Sequence, residues 1–357
     1  MNKERYLRQT TLAGFGTQGQ QKLGNAKVLV VGAGGLGVPV LTYLNAMGVG
    51  TLGIVDADVV SLSNLHRQVL YTEDMVGTSK VLAAKNQLLR QNSNTQIETY
   101  QTYLTVDNAL DIIKEYDVIV DATDNFPTRY LINDACVIEN KPFVYGALHA
   151  FEGQVSVFNY QGGPTYRCLF PTMPQADAVP NCNENGVLGI LPGIIGNLQA
   201  LEVVKIIAEI GEVLSGVLLL FDTLTQRTQR MKFKLQPGNN EIKTLETSYE
   251  FDCELPLKSV KAEEFITILM EQAVELIDVR TVKEFQREHL QEAKHIPLGE
   301  LTNRVAEVDL ETTVYVICQS GVRSKKAIIK MQELFPGKDF VNVSGGMNQM
   351  KNYVDTY

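Results

Sequence analysis

Two short stretches, roughly 280 residues apart, hold residue types that do chemistry. In CQSGVRS, Cys318 to Ser324, a thiol follows the apolar run TVYVI and precedes the helical pattern SKKAIIKMQEL. Successive backbone N–H groups at the start of a helix stabilise an anion, so this setting favours a thiolate. Arg323 makes the loop C-x4-R, with Ser324 after it. That ring is one residue shorter than a C-x5-R phosphate loop; it encircles a phosphate less readily but can cradle a persulfide. Near the other end of the chain Gly32, Gly34 and Gly37 form G-x-G-x-x-G, with Gly35 inside it, directly after an apolar strand. Such glycines let the backbone approach phosphates at a helix N-terminus, and an acid further on can bond ribose hydroxyls. Asp56 stands 19 residues past Gly37. By itself the pattern reads as an adenine-nucleotide loop or as a tight turn that packs a helix on a strand.

The residues after the loop bear on the kind of nucleotide. DADVVSLSNLHRQ supplies Asn64, Arg67 and Gln68, and GTSK supplies Lys80. Two cations suit the triphosphate of ATP, where they can neutralise charge that develops as the α-phosphate is attacked. A dehydrogenase needs room for nicotinamide at the same place. Asp124, in DATDNFPTR, ends a strand where open α/β sheets place their ligands. A carboxylate there suits magnesium, a hard cation that takes few protein ligands. Taken singly, Arg67 and Lys80 also read as solvated surface charges, and Asp124 as the cap of a helix NFPTRYLIND.

These residues need a scaffold, and the flanking patterns provide one. AKVLVVGAGGLGVPVLTYLNAMGVGTLGIVDAD reads as strand, turn, helix and strand, a βαβ unit. YDVIVDATDN is a further strand, and apolar strand candidates lie near 143–146 and 154–158. An α/β fold with a Rossmann-like doubly wound sheet is expected for residues 1–236. LQPGNNEIKTLETSYE is polar and without sustained period, so 237–254 is expected to be a linker. Over 255–357 a second, small α/β pattern appears: AVELIDVR as strand, KEFQREHL as helix, the Cys318 strand, loop and helix, and DFVNVSGGM as strand and turn.

A chain of 357 residues with 45% hydrophobic and 20% charged residues can bury two cores. The net charge of −9 divides almost evenly either side of residue 250, so no basic half offers a nucleic-acid surface. MNKERYLRQTT lacks the apolar core of a signal peptide, and VLGILPGIIG is short and broken by Gly and Pro. A cytoplasmic protein without membrane association is expected. The five cysteines, Cys136, Cys168, Cys182, Cys253 and Cys318, show no paired spacing and are expected as free thiols. Cys136 reads as a core thiol, Cys253 carries no assigned role, and His66, His149, His289 and His295 are scattered and read as structural.

In combination, RYLRQ, GAGGLG, DADVVSLSNLHRQ, GTSK, DATDNFPTR, EGQVSVF and YRCLFP followed by NCNENGVLG are highly specific. Over about residues 3–235 the chain resembles the MoeB and ThiF type of ubiquitin-like-protein activating enzymes. The resemblance implies adenylation, by ATP and magnesium, of the C-terminal glycine of a small ubiquitin-like sulfur carrier protein ending in Gly-Gly. It places Gly32, Gly34, Gly35 and Gly37 along the phosphates and Asp56 on the ribose. Asn64, Arg67 and Lys80 fall on the triphosphate, with Gln68 beside them, and Asp124 on magnesium. Arg8 matches an arginine that reaches the active site of the other subunit, which implies a homodimer. Cys182 matches a loop cysteine near the adenylate that in some relatives forms a covalent sulfur intermediate; an idle thiol is the other reading. Many relatives bind a structural zinc through two C-x-x-C pairs. Here the first pair reads TYRC, with Thr165 in a ligand place, and the second is missing, so no zinc is expected and packing alone should hold the segment.

LIDVR, EHLQEAKHIPL, the Cys318 loop and SGGMNQM make about residues 255–357 similar to a rhodanese domain. That likeness implies Cys318 as the sulfur-carrying residue, with Arg323 and Ser324 completing its loop and Met350 standing where relatives often have Trp. The two sites explain each other. Adenylation gives a carboxylate a good leaving group, and a persulfide is a strong nucleophile that can displace it. The expected sequence is sulfur transfer from a cysteine desulfurase or thiosulfate to Cys318, then to the carrier as a thiocarboxylate. It could serve molybdopterin, thiamine or thiolated tRNA. A NAD-dependent oxidoreductase fused to a sulfurtransferase shares the glycine loop and Asp56 but has no use for SNLHRQ or Lys80. A non-catalytic adaptor for ubiquitin-like proteins leaves Arg8, Arg67, Lys80, Asp124 and Cys318 without purpose.

Overall fold

The run KVLVV, strand β1 (Lys27–Val31), is buried after its first residue, and TLGIV, β2 (Thr51–Val55), along its whole length. Continuous apolar runs of this kind are what a parallel sheet covered on both faces requires. In the computed structural model, which describes residues 4–174, 186–249, 257–271, 273–319 and 321–354, both strands lie inside the first of two compact units, Met1–Asp252 and Cys253–Tyr357.

The first unit holds an eight-stranded sheet. With β3 (Gln96–Tyr100), β4 (Val118–Asp121), β5 (Phe143–His149), β6 (Glu152–Phe158), β7 (Val217–Asp222) and β8 (Thr228–Lys232), its order is β3-β2-β1-β4-β5-β6-β7-β8. Strands β1 to β5 pair in parallel. The chain leaves β1 towards β2 on one side and returns to β4 on the other, so the connections diverge between the C-terminal ends of β1 and β4. A doubly wound sheet holds its ligand at such a switch point. The glycine loop leaves β1 and the segment with Asp124 leaves β4, which brings both to this place.

Alternation along β1 sorts the core into two layers. Val28 and Val30 face the helices Gly37–Met47 and Ile190–Ala208, while Leu29 and Val31 face Tyr130, Leu131 and Phe143 beneath the helix Phe126–Ile138. Ile190–Ala208 has the length and apolarity of a helix that could cross a membrane. It packs on Gly37–Met47, β5 and β6 and carries the buried polar residues Gln199 and Glu202, so it behaves as the spine of a core. Gln199 donates through Nε2 to the Asp121 carbonyl at 2.7 Å, and Glu202 accepts from the Leu214 N–H at 2.9 Å.

Beyond β5 the sheet turns antiparallel through β6, β7 and β8. The edge strand TQRMK is exposed throughout, and its Arg230 and Lys232 discourage edge-to-edge pairing. The sequence pattern marks β6 but does not separate β7 and β8, because a polar edge strand lacks the alternation of a half-buried one.

Part of the expected linker 237–254 belongs to the first unit. Tyr249 is buried in its core and donates through its hydroxyl to Asp134 at 2.7 Å, and Leu245 packs beside it. Arg167 bridges Asp134, at 2.8 Å from Nε and 2.7 Å from Nη2, and Glu246. A polar stretch with no period can still be tied down by a few side chains, which composition does not reveal. Residues 250–256 lie outside the described ones.

The second unit is a five-stranded, all-parallel sheet. Its strands are β9 (Lys258–Lys261), β10 (Glu275–Asp278), β11 (Ala293–His295), β12 (Val314–Ile317) and β13 (Phe340–Ser344), in the order β11-β10-β12-β13-β9. The central strand β12 reads VYVI, is fully buried, and delivers Cys318 directly at its C-terminal end, ahead of the helix Val322–Leu334. Met350 is buried in the core layer that holds Tyr315 and Ile317, whereas Cys318 lies in the other layer.

Candidate active sites

Gly32 turns the chain out of β1 with φ +100°, and a Cβ there would lie 2.6 Å from the Ala122 carbonyl oxygen. The glycine loop therefore rests against the end of β4, close enough that no side chain fits between. Gly37 carries the same restriction, since its Cβ would meet the Gly32 carbonyl oxygen at 1.9 Å. Gly32→Ala should cost about 2–3 kcal/mol in strain and contact, lowering the first unit's thermal midpoint by roughly 5–10 °C. A melting curve unchanged from the parent would disprove the close approach.

Asp56 ends the second strand beneath this loop. Its Oδ2 accepts the Ala33 N–H and its Oδ1 the Asp58 N–H, both at 2.8 Å, so one carboxylate ties the loop to the sheet. Burial raises its pKa above the ordinary carboxylate value, against the opposing pull of Lys80 and the two N–H groups. Lys80, buried at the start of the helix Lys80–Gln91, reaches Asp58 at 2.8 Å and Asp56 at 3.9 Å. Tyr71 donates its hydroxyl to the Ala33 carbonyl at 2.8 Å and fixes the loop from the other side.

Asn64 organises the remaining polar residues. Its Oδ1 accepts from Gln68 Nε2 at 3.0 Å and from Arg67 Nη2 at 3.3 Å. Arg67 and Gln68 lie close to the glycines: a Cβ on Gly35 would sit 3.5 Å from Arg67 Cδ, and one on Gly34 3.5 Å from Gln68 Nε2. Gln68 is buried with its Oε1 unpartnered, an acceptor left open beside the glycine loop. Arg67, Gln68, Asn64, Asp56 and Lys80 thus gather around Gly32, Gly34, Gly35 and Gly37. A polyanion such as a nucleotide triphosphate matches this mixture of N–H groups and two cations.

Asp124 is exposed just past β4, and among the described residues its carboxylate has no hydrogen-bond or ion-pair partner. The capping reading is corrected by the structure: Asn125, not Asp124, caps the helix Phe126–Ile138, its side chain accepting the Thr128 N–H at 2.9 Å. That leaves Asp124 available as a hard oxygen donor. The segment is braced from behind by Arg129, which donates to the Thr123 carbonyl at 3.0 Å and lies 3.9 Å from the fully buried Asp121. Arg129 also stands over the rings of Phe126 and Tyr145. An exposed carboxylate beside a loop suited to phosphate fits magnesium, which keeps most of its ligands as water and phosphate oxygen.

In the second unit Cys318 is buried, and its Sγ accepts the Gly321 N–H at 3.1 Å. Ser324 Oγ lies 3.4 Å from the same sulfur, 3.0 Å from the Gly321 carbonyl and 2.6 Å from Asn342 Oδ1; its single proton serves one of them at a time. Arg323 completes the loop but is engaged: its Nη1 and Nη2 donate to the two oxygens of Glu284 at 2.8 and 2.6 Å. Those bonds from Arg323, joined by Thr281, outweigh partial burial and hold the Glu284 carboxyl down at about 2. Because that value is depressed, the pair's stabilisation is present above the ordinary carboxylate range and fades only as pH falls towards 2. Arg280, wholly buried, grips Asp278 and donates to Gln319 Oε1 at 3.1 Å, fastening the residue next to Cys318.

Some expected residues stand apart. Arg8 is exposed on the short helix Leu7–Thr10, an arm anchored by the buried Tyr6, and no described contact joins it to the glycine loop. Cys182 and Cys253 lie outside the described residues. Cys136 is a buried thiol whose pKa burial pushes up, and the ring of Phe285 is stacked between His289 and His295. Residues that motif spacing alone does not single out are Asp58, Tyr71, Arg129 and Glu284. Asp58 and Arg129 lie inside motifs already quoted, and Glu284 closes a Thr281-x-x-Glu284 capping box at the start of its helix, so their positions were usable signals; nothing local marks Tyr71, nor the pairing of Glu284 with Arg323.

The ThiF family matches residues 6–242 and the rhodanese-like domain residues 261–353. The chain is 41% identical to "Adenylyltransferase and sulfurtransferase MOCS3" of Culex quinquefasciatus, over 98% of this chain and 87% of that protein. It is also 41% identical to the protein of the same name from Arabidopsis thaliana, over 92% and 79%. Among solved structures, E. coli MccB crystallised with ATP aligns with a TM-score of 0.57 at 23% identity, covering 66% of this chain and 74% of that one. E. coli MccB with MccA-N7isoASN gives 0.60 at 22%, covering 67% and 74%. At these identities the structural likeness concerns the fold.

Proposed function

Because the chain belongs to the ThiF family and carries a rhodanese-like domain after it, we propose that this adenylyltransferase and sulfurtransferase activates a ubiquitin-like sulfur carrier and then loads it with sulfur. The carrier's C-terminal Gly-Gly carboxylate attacks the α-phosphate of ATP, pyrophosphate leaves, and an acyl-adenylate forms. Arg67 and Lys80 take the growing negative charge, Lys80 exchanging its carboxylate partners for phosphate oxygens, while Asp56 and the loop N–H groups orient the nucleotide. Asp124 would hold magnesium, which would supply further charge neutralisation when bound. The crystal structure of MccB with ATP, a protein of the same fold, agrees with this nucleotide.

In the second half, the Cys318 thiolate attacks the sulfane sulfur of a donor persulfide, forming Cys318–S–SH and releasing the donor thiolate. The terminal sulfur then attacks the acyl carbon and AMP leaves, giving an acyl disulfide. A second thiol, Cys182 in this scheme, cleaves the S–S bond, leaving a thiocarboxylate on the carrier and a Cys182–Cys318 disulfide for later reduction. The homodimer, with Arg8 crossing to the other subunit, a cysteine desulfurase as donor and a cytoplasmic setting are parts of the same proposal. The product would feed molybdopterin, thiamine or thiolated-tRNA synthesis.

One observation carries this reading: a triphosphate-suited loop at the switch point of one unit and a cradled cysteine at the end of the central strand of the other, in one chain. Mass spectrometry of candidate carriers incubated with enzyme, ATP and a sulfur source should show sulfur replacing oxygen at the C-terminus. Binding of NADH in preference to ATP would reverse the assignment in favour of the oxidoreductase, which the family matches do not favour.

The donor class follows from Glu284. With Arg323 paired to Glu284, a dianion such as thiosulfate gains less from that guanidinium. Glu284→Gln keeps a hydrogen-bond acceptor but removes the negative charge, a change worth about 1–2 kcal/mol to an anion held near Arg323. Thiosulfate turnover should rise about tenfold in kcat/KM, mainly through KM. An unchanged or lower thiosulfate rate would show the pair to be structural.

A further inference from the structure

One sulfur atom outside both sites collects hydrogen bonds from two separate segments. Thr165 and Cys168, three residues apart, flank the start of the short helix Tyr166–Leu169. Gln236 and Asn239, also three apart, follow β8. Cys168 Sγ accepts the Gln236 N–H at 3.3 Å, the Thr165 N–H at 3.4 Å and the Asn239 Nδ2–H at 3.5 Å. Thr165 Oγ1 lies 3.4 Å from the same sulfur. Two pairs at x-x spacing meeting at one point is the layout of a tetrahedral metal site, and the family likeness implies zinc there. The residues do not fit it. Zinc takes thiolate, imidazole or carboxylate ligands, and here one sulfur is joined by a hydroxyl and an amide side chain, with Gln236 engaging through its backbone N–H. Among the described residues no group of three or more His, Cys, Asp or Glu could hold a metal ion.

We propose that Thr165, Cys168, Gln236 and Asn239 form a metal-free clasp, in which the Cys168 sulfur stands at the centre as acceptor and joins the two segments that a zinc ion would otherwise join. The chemistry is inverted relative to a metal site: N–H groups converge on one electron-rich atom instead of lone pairs converging on a cation. Burial acts to raise the Cys168 pKa, but the bonds from Gln236, Thr165 and Asn239 outweigh it and leave the thiol below its ordinary value, as a sulfur acting as acceptor should be. Just beyond the clasp, Glu246 and Tyr249 fasten the same segment through Arg167 and Asp134. The clasp thus adds to packing in holding this part of the chain, and together with the Arg167 and Asp134 contacts it ties the segment from Gln236 to Tyr249 to the first unit.

The inference rests on the first unit's geometry and is tested without reference to the reaction. Full-length protein purified with zinc in the medium should hold sub-stoichiometric zinc and keep its thermal midpoint in a strong chelator. Stoichiometric zinc, with a midpoint that falls on chelation, overturns the proposal. Combining Thr165→Cys, Gln236→Cys and Asn239→Cys should create a site that binds one zinc, or cobalt with the absorption of tetrahedral thiolate coordination. A folded triple variant that binds neither shows that the four positions do not converge, and refutes the clasp. Should that variant not fold, Cys168→Ala decides: amide exchange over 236–249 should quicken about tenfold while β1 and β4 are unaffected. Unchanged exchange there also refutes it.

Discussion

Cys318→Ala abolishes thiocarboxylate formation, a loss of at least about a thousandfold, while carrier-dependent ATP–pyrophosphate exchange continues at the parent rate. The expectation follows from where the two chemistries sit. The exchange requires the glycine loop, Arg67, Lys80 and Asp124, all in Met1–Asp252, whereas Cys318 ends the central strand of Cys253–Tyr357. Alanine leaves the fold of the second unit in place, because the buried strand VYVI and the helix Val322–Leu334 do not depend on the sulfur. What disappears is the atom that accepts the Gly321 N–H and would bear the persulfide. Loss of exchange together with sulfur transfer would refute separable roles. Thiocarboxylate formation at the parent rate would remove Cys318 from the mechanism altogether.

Asp124→Ala acts on the other half. Exchange should fall about 100- to 1,000-fold, the usual cost of deleting one electrostatic stabiliser of a transition state. The thermal midpoint should move little, since Asp124 is exposed, caps no helix and makes no hydrogen bond or ion pair among the described residues. This combination separates a lost metal ligand from a damaged fold. Calorimetric titration with ATP should lose its magnesium dependence in the variant. Full exchange activity in Asp124→Ala would rule out the magnesium assignment. A fall in exchange accompanied by a large fall in midpoint would point to Arg129 and Asp121 behind it, the pair that braces the segment.

The residues that bear the proposed chemistry were legible because each lies in an uninterrupted motif whose spacing is a local property. GAGGLG must follow a strand and open a helix, and Gly32 and Gly37 admit no Cβ for reasons of backbone contact within a few residues and one neighbouring strand. Arg67 and Gln68 reach the loop through Asn64, three and four residues away on a single turn of chain. CQSGVRS likewise contains both the nucleophile and the donors that face it.

Other features could not be read in this way. Glu284 and Arg323 are 39 residues apart, and their meeting depends on β10 and β12 being neighbours in a parallel sheet. Cys168 and Gln236 are 68 apart, and only the antiparallel run β6-β7-β8 returns the chain to the short helix at Tyr166. The polar segment after β8 carried every composition mark of a linker, yet Tyr249 and Leu245 bury part of it in the core.

The amino-acid sequence by itself specifies two α/β units, a phosphate-suited glycine loop with its attendant cations, and a thiol at the start of a helix. Strand period, turn glycines and motif spacing depend on forces between near neighbours in the chain. The pairing of Arg323 with Glu284, the bracing of the Asp124 segment by a buried arginine, and the sulfur-centred clasp were decided by tertiary structure. Each joins side chains whose approach is set by sheet order and core packing, and residue spacing along the chain does not encode those distances.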